Sequence, residues 1–334
     1  MCYLQRPAIF ESLPFCYGSS PSHLPKPLYP FPSESLTQSK SRAFFNLPLE
    51  DKLKAPHPPE SWNQRGYSRV GLEKLSLYPD RLNTGTPRTA SPPTPIFENK
   101  ESFDIGREND SIMPNIWPPP PILPDFRPTM TTLFDTLHDF GQNVLQALAL
   151  GLQLEDASYF SRFHGRTEDP MNQLRLLHYP AVSRHEVQKG DMTRIVPHTD
   201  KGTITLLLQE DDGVGGLEVQ THSGEYVLAP LIPGAILVNV GDLLQMWSNE
   251  VLKSTRHHIG LPDPKSLDLA AEGEGEVLVP RRFSIPYFVA PDRDAVVECL
   301  ESKLCWGEER PKKYEPVKAW DYIFRSMSGA YEKD

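Results

Sequence analysis

The sequence predicts a mainly β protein with flanking α-helices, built on a double-stranded jelly-roll core. Two observations carry that expectation. From Leu174 to Phe288, short β-rich runs at 203–209, 216–220 and 235–240 alternate with Gly and Pro turns. Many short strands punctuated in this way form two packed sheets. Ahead of them, Leu133, Phe134, Leu137, Phe140, Val144, Leu145, Leu148 and Leu152 recur near helical spacing within residues 127–153. One long helix with such an apolar stripe is expected to back the sheet.

Along the chain, residues 1–37 carry proline, serine and aromatics without periodicity, and no regular structure is expected there. Residues 39–54 read as a helix that breaks near Pro48, since proline lacks an amide hydrogen and clashes with the preceding turn. Residues 55–125 are expected to be loop, with proline clusters at Pro92-Pro93 and Pro118-Pro119-Pro120-Pro121. The long helix follows at about 127–153, then the strand region, then a closing helix at 319–327. Glu272, Glu274 and Glu276 mark a solvated acidic loop. No internal repeat is visible.

At 334 residues, a barrel with flanking helices fills the chain as one unit. Lys and Arg number 34 and Asp and Glu 44, a net charge of −10 that argues against a nucleic-acid or anionic-membrane partner. No apolar run approaches the length of a transmembrane helix. The N-terminus lacks the basic region and apolar stretch of a signal peptide. Cys2, Cys16, Cys299 and Cys305 show no Cys-x-x-Cys spacing and suit a reducing compartment. A cytoplasmic monomer is expected.

One constellation carries chemistry. In His198-Thr199-Asp200, side chains i and i+2 of an extended segment point the same way, so His198 and Asp200 can converge on a metal. A histidine far along the chain, His257 or His258, completes two imidazoles and one carboxylate. That set covers one face of an Fe(II) ion and leaves positions open for O2 and a chelating ligand. Adjacent strand residues face opposite ways, so His257 and His258 cannot both be ligands. Further on, Arg282 and Ser284 share a strand face and offer a planar fork and a hydroxyl, which a small dicarboxylate needs. Arg281 is expected to point away into solvent.

Ser254-Thr255-Arg256-His257-His258-Ile259 resembles the Ser-Thr-x-His-Arg-Val pattern of the isopenicillin N synthase-like branch of the Fe(II)/2-oxoglutarate-dependent dioxygenases. In that pattern the first histidine is the iron ligand, which implies His257, with His258 in the arginine's place. Arg282-Phe283-Ser284 is similar to the family's Arg-x-Ser pair. Tyr179-Pro180 is similar to the end of a strand whose tyrosine reaches the distal carboxylate of 2-oxoglutarate. Gly241-Asp242, with Ser248-Asn249, matches a further signature, read as a turn in which Gly supplies backbone freedom and Asp caps. Segments 43–52, 63–67 and 314–317 are also similar, so the resemblance spans roughly residues 38–328. Phe288 stands where relatives present a ring to an aromatic substrate, and it equally suits a core.

The resemblance implies a cupin-like core at 166–292. It is preceded by a remnant of the N-terminal dioxygenase region at 38–165 and followed by a helical region at 293–334, with residues 1–37 an atypical, irregular segment. It implies Fe(2+) on the catalytic ligands His198, Asp200 and His257, 2-oxoglutarate held by Arg282, Ser284 and Tyr179, O2 as oxidant, and a small organic substrate beside Phe288. The expected reaction hydroxylates, desaturates or cyclises that molecule in secondary metabolism and releases succinate and CO2. Two alternatives stay open. One is an oxidase of the isopenicillin N synthase type that needs no 2-oxoglutarate; the other is a non-catalytic protein that retains the metal site. The family's opening strand and its Asn-His-Gly motif are not found in residues 1–42. An N-terminus so truncated, replaced or differently packed is expected to bare a sheet edge. The acidic loop around Glu274 reads as an insertion, and the segment from Lys100 to Gly106 as a loop or part of a lid.

Overall fold

The structure, a computed structural model, describes residues 2–5, 34–60, 62–73, 97–165, 171–183, 192–210, 214–260 and 278–327. The chain opens with strand β1 (Cys2–Gln5), helices α1 (Glu34–Phe45) and α2 (Leu49–Lys52), and strands β2 (Gly66–Ser68), β3 (Phe97–Glu98) and β4 (Glu101–Ile105). Helix α3 (Phe126–Gly151) leads through a 3-10 turn at Phe160–Phe163 into β5 (Gln173–Tyr179), β6 (Val182–Ser183) and β7 (Met192–Thr193). Strands β8 (Ile195–His198), β9 (Ile204–Gln209), β10 (Leu217–Gln220), β11 (Tyr226–Leu228) and β12 (Ala235–Val240) follow. Helix α4 (Asp242–Trp247), strands β13 (His257–Ile259), β14 (Leu278–Val279), β15 (Arg282–Val289), β16 (Val296–Val297) and β17 (Val317–Lys318), and helix α5 (Ala319–Met327) complete the order.

Strand alternation sets the architecture. A seven-stranded sheet runs β1-β12-β9-β15-β5-β4-β2, and a four-stranded sheet runs β11-β10-β13-β8. Along β15, Phe283, Ile285, Tyr287 and Val289 turn to one face and join Leu133, Leu137 and Leu145 of α3 in the main core. The other face of the large sheet meets the small sheet through a second cluster, in which Leu177, Tyr179 and Leu237 pack with Val196, Leu217 and Ile259. The result is the jelly roll, with a helix backing one side and a cleft between the sheets. Arg282, Ser284, Pro286 and Phe288 have the opposite parity on β15, so they face that cleft.

The observed elements differ from the sequence reading at both sheet margins. Cys2–Gln5 pairs antiparallel with Ala235 to Val238, so a strand covers the edge expected to be bare. Four residues are too few to display a period, and it is the waiting edge of β12 that orders them. Helix α1 likewise starts at Glu34, inside the segment expected to be irregular. On the opposite side, β4 and β2 extend the sheet beyond β5 within residues expected to be loop. All five residues of β4 are buried, so Glu101–Ile105 is neither loop nor lid. Ser102 and Asp104 on its cleft face hid its alternation, because a strand with polar groups turned inward reads as a turn. Glu272, Glu274, Glu276, Pro92-Pro93 and Cys16 lie outside the described residues. Among the described residues, no helix is long and apolar enough to cross a membrane.

Gly241 serves a purpose other than the one expected. Its φ is −97°, open to any residue, but a Cβ there would stand 2.3 Å from the carbonyl oxygen of Gly202. The glycine lets α4 press against the turn that follows Asp200, and the Asp242 amide donates to the Asp200 carbonyl at 2.8 Å.

A buried histidine braces the same turn. His164 takes a hydrogen bond from Thr203 at Nε2 (2.8 Å) and gives one from Nδ1 to the Phe160 carbonyl (2.7 Å). Burial chiefly, with the neighbouring His138 assisting, pushes its pKa from 6.5 down to about 4. The unfolded chain therefore takes up this proton at a pH where the folded one does not. Stability is expected to fall as pH drops from 6.5 to 4, by about 3 kcal/mol for this residue. Urea titrations across that window test it, and His164→Gln should remove that part of the slope.

Candidate active site

Two short strands of the small sheet bring the ligand candidates together. His198 ends β8 and His257 opens β13, and they are direct cross-strand partners with ring centroids 4.4 Å apart. Asp200 Oδ1 lies 3.9 Å from His198 Nε2 and 3.8 Å from His257 Nε2. All three ligand atoms sit within 4.8 Å of one another, and the two carboxylate–imidazole separations, 3.9 and 3.8 Å, are spans that one ion about 2 Å from each donor can bridge. His258, of opposite parity, turns away; its Nε2 lies 2.7 Å from Glu218 Oε2 and its ring packs against Tyr226.

Hydrogen bonds leave the right atoms uncommitted. Nδ1 of His198 meets the Val196 carbonyl at 2.8 Å and Nδ1 of His257 meets the Thr255 carbonyl at 3.0 Å. A carbonyl only accepts, so both Nδ1 atoms carry the proton and both Nε2 atoms present a lone pair to the centre. Asp200 Oδ2 accepts from Thr205 Oγ1 and Asn239 Nδ2, each at 2.6 Å, which leaves Oδ1 facing the two imidazoles. Burial would raise the Asp200 carboxyl, but the attraction to either imidazole when it is protonated, with these two donors, outweighs burial and holds its pKa below the ordinary value. Burial, then the adjacent His257 ring, lower that of His198, which keeps the imidazole neutral as a ligand must be. Two neutral nitrogens and one carboxylate oxygen fit Fe(II).

The turn carrying Asp200 is clamped from behind. Asp242 Oδ2 accepts from Thr199 Oγ1 (3.2 Å), Lys201 Nζ (2.9 Å) and Tyr322 Oη (2.9 Å), tying the turn to α4 and α5. Removing the polar tie on the carboxylate itself should loosen the metal. Asn239→Leu is expected to weaken Mn(II) or Fe(II) affinity about 10–100-fold; unchanged affinity in a metal titration would remove Asn239 from the site.

Arg282, Ser284 and Tyr179 lie together on the facing sheet. Arg282 pairs across strands with Tyr179, and its Cζ stands 5.3 Å from that ring. Its Nη1 donates to Ser284 Oγ at 3.0 Å, Nε to the Gly215 carbonyl at 2.9 Å and Nη2 to Gln209 Oε1 at 3.2 Å. These partners fix the plane of the fork. Arg281 is exposed and donates to Asn46 Oδ1. Phe288 is half-buried on the cleft face, between Thr205 and Gln173 of the flanking strands.

The sequence reading missed several members of this region. Asn239 is the lone polar residue of 235–240, and Arg175 the lone charge of 174–177; a buried polar group inside an apolar run was the available signal. Thr205, Gln209 and Glu73 carried no such signal, since only cross-strand register and chain return bring them in.

Comparison with known proteins follows the same lines. A family model of the 2OG-Fe(II) oxygenase superfamily matches residues 170–291, and one described as non-haem dioxygenase in morphine synthesis N-terminal matches residues 34–120. The chain is 40% identical over 299 residues to proline hydroxylase buaE of Petromyces alliaceus, covering 88% of this chain and 85% of that protein. It is 36% identical to the 2-oxoglutarate-Fe(II) type oxidoreductase ppzD of Metarhizium majus, covering 84% and 78%. Among solved structures, a full-length Neurospora crassa protein in complex with alpha-KG and thymine superimposes with a TM-score of 0.71 at 33% identity, covering 91% of this chain and 86% of that one.

Proposed function

Because the chain belongs to the 2OG-Fe(II) oxygenase superfamily, we propose that it is an Fe(II)- and 2-oxoglutarate-dependent oxygenase that hydroxylates, desaturates or cyclises a small organic molecule of secondary metabolism. The observation that carries this reading is the donor set, in which His198 Nε2, His257 Nε2 and Asp200 Oδ1 converge while the second polar atom of each is tied to the protein. We assign those three residues to the metal. Arg282, Ser284 and Tyr179 take the distal carboxylate of 2-oxoglutarate, the Tyr179 ring lying 5.3 Å from the Arg282 guanidinium carbon. When bound, Fe(II) and 2-oxoglutarate couple O2 reduction and release of succinate and CO2 to oxidation of a substrate C–H bond. Phe288, on the cleft face beside Thr205, presents its ring to the substrate. Names among the relatives make L-proline and thymine the first substrates to try. We place the enzyme in the cytoplasm as a monomer acting on a small molecule, with no nucleic-acid partner.

Anaerobic titration with Fe(II) and 2-oxoglutarate tests the assignment through the weak visible charge-transfer band of the chelate. The band should appear in the wild type and vanish in His257→Ala. Iron binding without a band, and turnover without succinate, would instead favour the oxidase that uses no 2-oxoglutarate.

A further inference from the structure

We propose that Lys100 and Arg175 form a carboxylate-binding subsite for the substrate, and that the side chain of Glu73 fills this subsite until the substrate arrives. The proposal rests on the oxygenase reading and concerns a part of the cleft to which that reading assigns no role.

Cross-strand register puts the two cations in reach of the reaction. Thr205, which holds Asp200, pairs with Phe288, and Phe288 pairs with Gln173. Gln173 is therefore two strands, about 10 Å, from Thr205 across the cleft floor. Arg175 is the next residue along that face, opposite Asp104 of β4. Lys100 immediately precedes β4, and Asn99 beside it donates its amide to the Thr193 carbonyl, two residues before β8. A small molecule with one carbon at the metal and its body over Phe288 would bring a polar end to these cations.

The bonding separates framework from occupant. Arg175 grips Asp104 through Nε (2.6 Å) and Nη2 (3.3 Å), and Gln173 donates to the same carboxylate at 2.6 Å. Asp104 and Gln173 are strand residues, and Arg175 Nη2 also donates to Gln64 Oε1 at 3.3 Å, so the guanidinium plane is set by the sheet and the segment before β2. Its Nη1 reaches Glu73 at 3.0 Å, and Lys100 Nζ reaches the same carboxylate at 2.5 Å. Glu73 comes from residues 69–73, outside any strand. Its carboxylate is thus a guest between Arg175 of β5 and Lys100, the residue that leads into β4. Burial would raise the Glu73 pKa, but Arg175 and Lys100 outweigh burial and hold it at about 2, so the guest is an anion.

Stability alone is a poor reason for this cluster. Buried ion pairs cost more desolvation than apolar groups of the same volume, and the opposite face of the same strands is filled by Phe103, Leu174 and Leu176. A desolvated pair of cations does discriminate strongly, because a neutral amide in place of a carboxylate leaves their charge uncompensated. An internal competitor also lowers apparent affinity in proportion to the time it occupies the site.

The test uses protein whose Fe(II)–2-oxoglutarate band has already been recorded, so its failure bears on this proposal and not on the oxygenase reading. That loaded protein is titrated anaerobically with short aliphatic and cyclic carboxylic acids, L-amino acids included, each alongside its carboxamide. At least one acid should perturb the band and bind tenfold or more tightly than its amide. Glu73→Gln should tighten acids about tenfold and leave amides unchanged, whereas a merely structural Glu73 would weaken both. Absence of any acid preference, no acid binding, or weakening in Glu73→Gln would overturn the subsite. Should Glu73→Gln fail to fold, the acid–amide comparison in the wild type decides the matter.

Discussion

Replacing Asp200 with alanine is expected to abolish Fe(II)-dependent turnover. The substitution removes the anionic donor of the triad and leaves Thr205 and Asn239 with donors aimed at nothing. Loss of a partner one bond removed from a metal ligand already costs about 10–100-fold in affinity, and loss of the ligand itself costs more. Turnover should fall below detection, measured as succinate formed at saturating Fe(II), while the far-ultraviolet circular dichroism remains that of the wild type. Substantial retained activity would sink the assignment of Asp200 to the metal.

Arg282→Ala should act on the cosubstrate and spare the metal. Truncating one partner of a buried, hydrogen-bonded charge pair costs about 2–5 kcal/mol, so KM for 2-oxoglutarate should rise about 30-fold or more. Fe(II) affinity should stay within a few-fold, because Arg282 is held by Ser284 and Gln209 of the facing sheet and by the Gly215 carbonyl. A KM for 2-oxoglutarate that does not move, with a raised requirement for the organic substrate, would shift the Arg–Ser pair to the substrate, as in the oxidase alternative.

The two predictions concern residues that were legible in different ways. His198, Asp200, Arg282 and Ser284 could be grouped because strand parity is a local property: residues two apart share a face wherever the strand ends up. The same rule separated His257 from His258, and the structure turns His258 to Glu218. Parity also misled. Within β4 it turned Ser102 and Asp104 toward a cleft that needs polar groups, so a central strand looked like a loop. For β1 there was too little sequence to carry any pattern, and pairing with β12 made the strand. Gly241 was legible as important but for the wrong reason, since the demand is close approach to Gly202 and not a backbone angle.

Local pattern was enough for the β-rich core, the long backing helix and the kinds of donor available to a metal, because side-chain period and chemical type are written residue by residue. Chain folding settled which distant groups meet. Thr205 and Asn239 reach the same carboxylate oxygen from neighbouring strands, Asp242 gathers Thr199, Lys201 and Tyr322 behind the metal turn, and Glu73 returns from outside the sheet to sit between Lys100 and Arg175. Those contacts depend on register, crossover and burial, which act between segments far apart in the chain and leave no periodic trace in any one of them.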